Sequence, residues 1–179
     1  MSEEKVLDNL DENFSGEEQL ALDDIANKYL TFELNSDNDS SKVYGIALKD
    51  VIEIVSIQPA SEVPYVPEYI KGIINLRGSI VTLVDINERF GFPETVYDER
   101  TGVIVVEIEE SLVGLIVNRV FEVINARKIS PLPKEVNNIS NKYISGVAKL
   151  PEENISVLIM DTSLVVNMND MMGLDVEMA

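Results

Sequence analysis

The sequence predicts a mainly β protein made of two tandem five-stranded β-barrels. Three observations support this fold class. Short apolar runs rich in β-branched and aromatic residues alternate with turn signals from residue 29 onward. The same order of elements occurs twice at a nearly constant spacing. Each copy of about 65 residues is the right size for a closed or partly closed barrel, which leaves no long sheet edge exposed.

The strands are predicted from apolar runs that are bounded by turn residues. In chain order they are Tyr29 to Leu34, Val43 to Leu48, Val51 to Ile57, Ile70 to Leu76, Ile80 to Asp85, Thr101 to Ile108, Ser111 to Asn118, Val120 to Ala126, Tyr143 to Leu150 and Ile155 to Asp161. The fourth and fifth form a hairpin, and its tight turn places Gly78 where a positive φ is expected. A single helical turn is predicted at Asp85 to Phe90.

Both ends of the chain differ in character from the β-rich centre. Residues 1–28 hold nine acidic residues against two lysines, which is typical of a solvated tail. Ser15 and Glu18 have capping-box spacing, which predicts a short helix from about Gly16 to Asn27. The predicted division is therefore a tail at 1–28, a first barrel at about 29–92, a second barrel at about 101–162 and a C-terminal helix at about 163–173.

Composition limits what the protein can do. The 179 residues include no cysteine and no histidine, so cysteine nucleophiles, thiolate zinc sites and the usual serine–histidine catalysis are excluded. The formal net charge of −18 would repel nucleic acids and anionic membrane surfaces. No apolar run approaches the roughly 20 residues of a membrane span, and the N-terminus does not resemble a signal peptide. We therefore expect a cytoplasmic protein without metal, nucleic acid or membrane insertion; an enzyme would have to act through carboxylates, lysine or a cofactor, and neither catalysis nor a cofactor is expected.

The internal repeat is visible in individual residues as well as in the order of elements. Corresponding residues lie 69 apart early in each copy, then 74, then 76, so the spacing changes only inside loops. The pairs are Gly45 with Gly114, Glu53 with Glu122, Gly72 with Gly146, and Asp85 with Asp161. The shared glycines predict close backbone approach, and the shared aspartates predict a role at strand ends or helix caps.

The hairpin turn distinguishes the two copies. Asn75 and Arg77 occupy the first copy, whereas Lys149 and Pro151 stand at the corresponding places in the second. A feature required for folding alone should be present in both copies. The Arg77 side chain therefore either extends freely into solvent or offers its planar fork to a carboxylate. That carboxylate belongs to a partner, to the neighbouring barrel, or to Glu53 of the same copy.

The combined motifs resemble a known family over residues 29 to 166. They are Tyr29-Leu-Thr-Phe-Glu-Leu, Tyr44-Gly-Ile, Val51, Glu53-Ile, Ile70-Lys-Gly, Asn75-Leu-Arg-Gly, Val84-Asp-Ile and Arg89-Phe-Gly. In order and spacing they are similar to the CheW family of bacterial chemotaxis coupling proteins. The resemblance implies two SH3-like barrels on a shared core. It also implies an adaptor that joins the cytoplasmic tips of methyl-accepting chemoreceptors to the regulatory domain of the histidine kinase CheA.

The same resemblance implies a receptor-binding groove between the barrels. Its expected residues are Val51, Glu53, Gly72, Asn75 and Arg77 from the first copy, with Val120 and Val123 from the second. A receptor tip is a helical hairpin, and a helix in a groove needs apolar anchors with a polar residue that fixes its register. Arg77 is expected to orient the groove or to pair with a receptor glutamate.

Three other functions compete with this interpretation. A CheV-like adaptor would carry a response-receiver domain with a phosphorylatable aspartate in addition to the coupling domain. A regulatory fragment of CheA would be preceded in the chain by the sequence of the kinase domain. A β-barrel hydrolase would need a catalytic constellation, which a chain without histidine or cysteine does not supply in its usual form.

Overall fold

A computed structural model describes residues 24–35, 41–133 and 139–166. The strands are β1 Lys28–Asn35, β2 Ser41–Ala47, β3 Val51–Ser56, β4 Ile70–Leu76, β5 Ser79–Asp85, β6 Gly102–Ile108, β7 Ser111–Val117, β8 Arg119–Asn125, β9 Ile129–Ser130, β10 Ile144–Leu150 and β11 Ile155–Met160. The helical elements are α1 Ile86–Arg89, α2 Thr162–Val165 and 3₁₀ turns at Leu48–Asp50 and Ile139–Tyr143. All ten predicted strands are present, and only the two-residue β9 was not predicted.

The strands form two sheets, and the predicted fold class of two SH3-like barrels is confirmed. The central barrel has the strand order β3-β6-β7-β5-β4, and the terminal barrel has the order β8-β1-β2-β11-β10-β9. Each contains one parallel pair, β5 with β7 and β11 with β2, among antiparallel neighbours. Leu83 lies opposite Gly114 in one parallel pair, and Ile159 lies opposite Gly45 in the other. The two barrels therefore repeat the same order of equivalent strands.

Each barrel takes strands from both copies of the repeat. The central barrel combines β3, β4 and β5 with β6 and β7 of the second copy, so it occupies residues 51–117. The terminal barrel combines β1 and β2 with β8 to β11. The sheets thus differ from the predicted division into a first barrel at 29–92 and a second at 101–162. The repeat identifies which strands are equivalent, but it does not determine from which copy each strand takes its hydrogen-bonded neighbour.

Short links between strands explain the exchange. In each barrel the edge strand, β3 or β8, pairs antiparallel with the first strand of the other copy's hairpin, β6 or β1. If β3 paired with its own β1, it would run parallel to β2, and the chain would have to return along the full strand length. The link Leu48–Asp50 has 3 residues, which span about 10 Å at most. The link from β7 to β8 is Asn118 alone.

The apolar residues form three clusters that follow from this arrangement. One fills the central barrel and includes Ile74, Val81 and Val105. A second fills the terminal barrel and includes Ala148 and Val157. The largest lies between the barrels and takes side chains from both sheets, including Phe32, Tyr44, Ile104 and Leu115, which are buried. The expected shared core is therefore this junction.

Aromatic rings concentrate in the junction. The Phe90 ring stacks on Tyr143 at 5.1 Å between centroids and meets Tyr44 edge-on at 5.7 Å. Burial raises the pKa of Tyr44 to about 12, so its phenol stays neutral at physiological pH. Phe90 belongs to the segment after α1, which places the end of the central barrel against the terminal barrel.

Arg89 connects the two barrels at this point. Its guanidinium lies over the ring of Tyr69, which precedes β4, at 4.4 Å, and over the ring of Tyr143, which precedes β10, at 5.3 Å. Its Nε donates to the carbonyl of Val165 in α2 at 2.8 Å. Tyr69 and Tyr143 are 74 residues apart and hence repeat-equivalent. One cation therefore contacts both barrels and the end of α2.

The shared aspartates cap helices, as predicted. Asp85 accepts from the backbone N–H of Glu88 at the start of α1. Asp161 accepts from the N–H of Ser163 at the start of α2. Asp85 is fully buried and also accepts from the Tyr97 hydroxyl at 2.6 Å. Burial and this bond raise the pKa of Tyr97. The hydrogen bond holds the loop before β6 on the barrel.

Of the shared glycines, Gly72 and Gly146 mark close backbone approach, whereas a Cβ at Gly45 or Gly114 would meet side chains. Ser61 pairs with Ile73 in an isolated bridge, and Ser130 of β9 pairs with Val147. The two pairs are repeat-equivalent, since Ser130 lies 69 residues after Ser61 and Val147 lies 74 residues after Ile73. Gly72 has φ +126°, and a Cβ there would collide with the carbonyl oxygen of Ser61. A Cβ at Gly146 would lie 2.8 Å from the carbonyl oxygen of Ser130. Glycine is therefore required where each barrel folds a returning segment against its edge.

The predicted terminal elements lie mostly outside the described residues. Of the helix expected from Gly16 to Asn27, residues 24 and 25 are helical and residues 1–23 are not described. Where a C-terminal helix was expected at 163–173, the structure has the single turn Thr162–Val165, after which Val166 is extended, and residues 167–173 are not described. No helix among the described ranges is long and apolar enough to cross a membrane.

We predict that alanine at three glycines separates backbone strain from close contact. Gly72→Ala combines both penalties and should lower the free energy of unfolding by about 3 kcal/mol. Gly146→Ala meets only the contact and should cost about 2 kcal/mol. Gly78→Ala meets only the positive φ of +91°, with nothing within 4 Å, and should cost about 1 kcal/mol. Urea denaturation measures all three. Equal losses at Gly72 and Gly78 would contradict the close approach.

We further predict that Arg89→Met lowers the free energy of unfolding by about 2 kcal/mol, because two ring contacts and a partly buried hydrogen bond are lost. Arg89→Lys should recover only part of this, since an ammonium lacks the flat face that stacks on both tyrosines. Arg100→Met, which removes an exposed ion pair with Asp98, is the matched control and should leave the denaturation midpoint unchanged. Equal stability of the Arg89 and Arg100 variants would contradict the role assigned to Arg89.

Candidate functional site

The β4–β5 hairpin presents Arg77 in an unusual backbone conformation. Leu76 pairs with Ser79, so Arg77 and Gly78 form a two-residue turn. Their φ values are +51° and +91°, which is the pattern of a type I′ turn. Gly78 has the positive φ expected of it, but the positive φ of Arg77 was not expected. The Asn75 Oδ1 accepts from the Gly78 N–H at 2.9 Å and so holds the turn.

The Arg77 side chain reaches Glu53 on β3. Its Nη2 lies 2.8 Å from Oε2 of Glu53, and Nη1 lies 3.5 Å from Oε1, so the fork faces the carboxylate. Of the alternatives for Arg77, the structure shows the pairing within the first copy. The Arg77 side chain is 78% exposed and the Glu53 side chain 24% exposed. Exposed ion pairs contribute about 0–1 kcal/mol, so stability does not account for this contact.

Strand β3 exposes apolar residues and covers a charged one, which is the reverse of the usual alternation in a strand. Val51, Glu53 and Val55 are half-buried, whereas Ile52 and Ile54 are 49% and 48% exposed. Glu53 thus lies on the covered face, beneath Arg77. Sequence reasoning missed the two exposed isoleucines as surface residues, because an apolar residue in a strand is ordinarily taken as core.

Strand β8 shows the same exposure at equivalent positions. Phe121 and Val123 lie 69 residues after Ile52 and Ile54, and they are 36% and 44% exposed. Apolar residues recur at the outward positions of both edge strands, and this recurrence was the sequence signal that could have predicted the surface. Glu122 is exposed, as predicted for a solvent-facing residue.

Two predicted groove residues lie at the junction between the barrels. Val51 on β3 and Val120 on β8 are repeat-equivalent, and both are half-buried against the shared core. Val120 packs over Gly102 so closely that a Cβ there would lie 2.7 Å from its Cγ2. Gly102 pairs with Ser56 at the far end of β3. The start of β8 therefore lies next to the central barrel.

The remaining predicted site residues fall into separate places. The structure brings Glu53, Asn75 and Arg77 together at one end of the central barrel. Val123 lies on the exposed strip of β8 in the terminal barrel. Gly72 is buried at the irregularity in β4, where its surroundings are those of a backbone crossing.

The groups at this site can recognise a partner by charge, hydrogen bonds and apolar contact. Within residues 24–35, 41–133 and 139–166, no group of three or more acidic side chains is arranged to hold a metal ion. The paired guanidinium and carboxylate, flanked by exposed isoleucine and valine, suit a surface that binds another protein.

Several known proteins are similar to this chain. Chemotaxis protein CheW of Klebsiella aerogenes is 29% identical over 159 residues, which are 88% of this chain and 92% of that protein. The crystal structure of the scaffolding protein TtCheW from Thermoanaerobacter tengcongensis matches with a TM-score of 0.70 at 31% identity, covering 81% of this chain and 95% of that one. Chemotaxis protein CheV3 of Helicobacter pylori is 26% identical over 129 residues, but these are only 41% of that protein.

The family model described as the CheW-like domain matches residues 28–170, which include both barrels, the exchanged strands and the Asn75–Gly78 turn. The similar proteins and the superposed structure agree with it in fold and extent. This chain therefore belongs to the CheW-like family.

Proposed function

We propose that the protein is a non-catalytic adaptor of bacterial chemotaxis, which couples the cytoplasmic tips of methyl-accepting chemoreceptors to the histidine kinase CheA. It would act in the cytoplasm on membrane-bound receptor arrays. Membership of the CheW-like family supports this proposal, as does the similarity to a protein named as a scaffold. The observation that carries it is the exposed Arg77–Glu53 pair, held on a strained turn beside exposed apolar edge residues.

The receptor helix is proposed to lie along the groove between the barrels. Val51 and Val120 would form its floor, since both flank the shared core. Val123 would supply an exposed apolar anchor at the terminal barrel. Arg77, held by Glu53 and by the turn that Asn75 stabilises, would fix the register of the helix. Gly72 would act indirectly, by setting the path of β4 toward that turn.

A pre-organised arginine suits this role better than a free one. The ion pair restricts the rotamers of a long side chain before binding, which lowers the entropic cost of ordering it in a complex. Its planar fork still has donors left for a receptor carboxylate.

The CheV-like alternative has weaker support. The similarity to CheV3 extends over less than half of that protein, whereas the similarity to CheW of Klebsiella aerogenes extends over 92% of it. A pull-down of CheA and of a receptor signalling fragment by the purified chain tests the adaptor function directly. Binding to neither would contradict it.

We predict that Arg77→Ala abolishes receptor-dependent activation of CheA while leaving the thermal unfolding midpoint nearly unchanged. The exposed pair adds little stability, but its loss frees Glu53 and removes the oriented fork. Autophosphorylation of CheA with receptor fragments measures the first effect, and circular dichroism measures the second. Arg100→Ala, at an exposed arginine paired with Asp98, is the control and should activate normally. Unchanged activation by Arg77→Ala would refute the assigned role.

A second prediction concerns the apolar anchor. Val123→Gln removes apolar area worth about 1.5 kcal/mol when buried, so affinity for a receptor fragment should fall roughly tenfold. Val96→Gln is the matched control, because Val96 is 88% exposed in the loop before β6 and belongs to neither edge strand. Titration of each variant with a labelled receptor fragment compares the two. Equal affinities would show that Val123 is not part of the interface.

A further inference from the structure

The terminal barrel has an open mouth. A cavity of about 460 Å³ enters it between β8 and the β10–β11 hairpin. Its walls are largely apolar and include Val43, Leu150 and Val157, which belong to or pack against the core of that barrel. Glu122 and Glu153 lie at its rim.

The corresponding place in the central barrel is bridged by the Arg77–Glu53 ion pair. Glu53 and Glu122 are repeat-equivalent and lie on the same face of their edge strands, β3 and β8. Arg77 reaches across from the β4–β5 turn, and the Glu53 side chain is only 24% exposed beneath it. Glu122 is exposed, because no side chain covers it in this way.

The β10–β11 turn cannot supply the missing cation. Leu150 pairs with Ile155, so the turn consists of Pro151, Glu152, Glu153 and Asn154. Within the described part of the chain, the carboxylates of Glu122 and Glu153 make neither an ion pair nor a hydrogen bond. The turn is therefore two residues longer than its counterpart and carries two negative charges where the first copy carries a guanidinium.

Arg119 is the cation among the residues that line the cavity, and it stacks on an aromatic ring of the same lining. Its guanidinium lies over the ring of Phe121 at 5.2 Å. Phe121 lines the same cavity as Glu122, although the two residues alternate along β8. Arg119 thus borders the mouth without taking the bridging position that Arg77 has in the central barrel.

We propose that the mouth of the terminal barrel is a docking site for a basic, apolar segment of a partner protein. An apolar side chain of that segment would fill the cavity, and a neighbouring arginine would pair with Glu122 and Glu153. The Arg77–Glu53 pair is the internal template, since it shows that this edge-strand position accommodates a guanidinium in the same fold. This site is additional to the proposed receptor groove, and it requires neither receptor binding nor kinase activation.

The charge of the chain itself argues against its own segments as occupants. Residues 1–23 hold eight acidic residues and one lysine, and residues 167–179 hold three acidic residues and no cation. A second copy has a net charge of −18 as well, and its Arg77 is engaged by Glu53. A cationic partner segment is therefore the occupant that complements the rim.

The test is a titration of the full-length, ¹⁵N-labelled chain with a capped pentapeptide that has arginine between leucine and valine. The proposal expects amide shift changes at Glu122, Glu153 and Ile155. A peptide with citrulline in place of arginine keeps the shape without the charge and should bind at least tenfold more weakly. Equal binding of the two peptides, changes confined to β3 and the Arg77 turn, or no change at millimolar peptide would each overturn the proposal.

Two variants make the comparison specific. Glu153→Arg places a guanidinium next to Glu122, so it should close the mouth and abolish peptide binding. Glu152→Arg makes the same charge change one residue away, outside the cavity lining, and should retain binding. Binding by Glu153→Arg equal to the parent would refute the site. If Glu153→Arg does not fold, the difference in affinity between the arginine and citrulline peptides for the unsubstituted chain tests the proposal instead. Concentration-dependent shifts of the same residues without peptide would identify a second copy as the occupant and also refute the proposal.

Discussion

The whole architecture depends on two links that are too short to let a strand return to its own hairpin. Three residues separate β2 from β3, and one residue separates β7 from β8. Each third strand therefore crosses to the other copy, and neither copy has a complete sheet alone. The junction left between the barrels is filled by the largest apolar cluster. Folding of one barrel is thus coupled to the other, as expected when the contacts that close a sheet are distant in sequence.

This exchange also creates the surfaces on which function is proposed. The crossing strands, β3 and β8, become the edges of their barrels, each paired on one side with a strand of the other copy. They carry exposed apolar residues at equivalent positions and glutamates that face the barrel mouths. Exposed edges invite pairing with other chains, so their apolar faces are expected to be covered in a complex. A charged residue beside them provides specificity rather than stability.

Comparison of the copies separates architecture from recognition. Two pairs of equivalent residues have the same structural role in both barrels. A backbone segment approaches closely at Gly72 and Gly146, and Asp85 and Asp161 cap short helices. The Arg77 turn breaks the symmetry. In one barrel a guanidinium bridges the mouth to the edge strand, and in the other two carboxylates border an open cavity. Residues that differ between otherwise matching barrels are therefore where binding functions are expected to lie.

The sequence by itself determined the strands, the repeat, the capping aspartates and the exceptional character of the Arg77 turn, because these depend on local patterns of polarity, turn chemistry and spacing. It also suggested that Arg77 lies within reach of Glu53, which the structure confirms. Which strands share a barrel became evident only in the tertiary structure, because the repeat leaves equivalent strands with identical hydrogen-bonding edges; the short links at Leu48–Asp50 and Asn118 were the available sequence signal. The exposed isoleucines of β3 and the open mouth of the terminal barrel were likewise decided in three dimensions. Exposure depends on what packs against a strand, and that partner comes from a distant part of the chain.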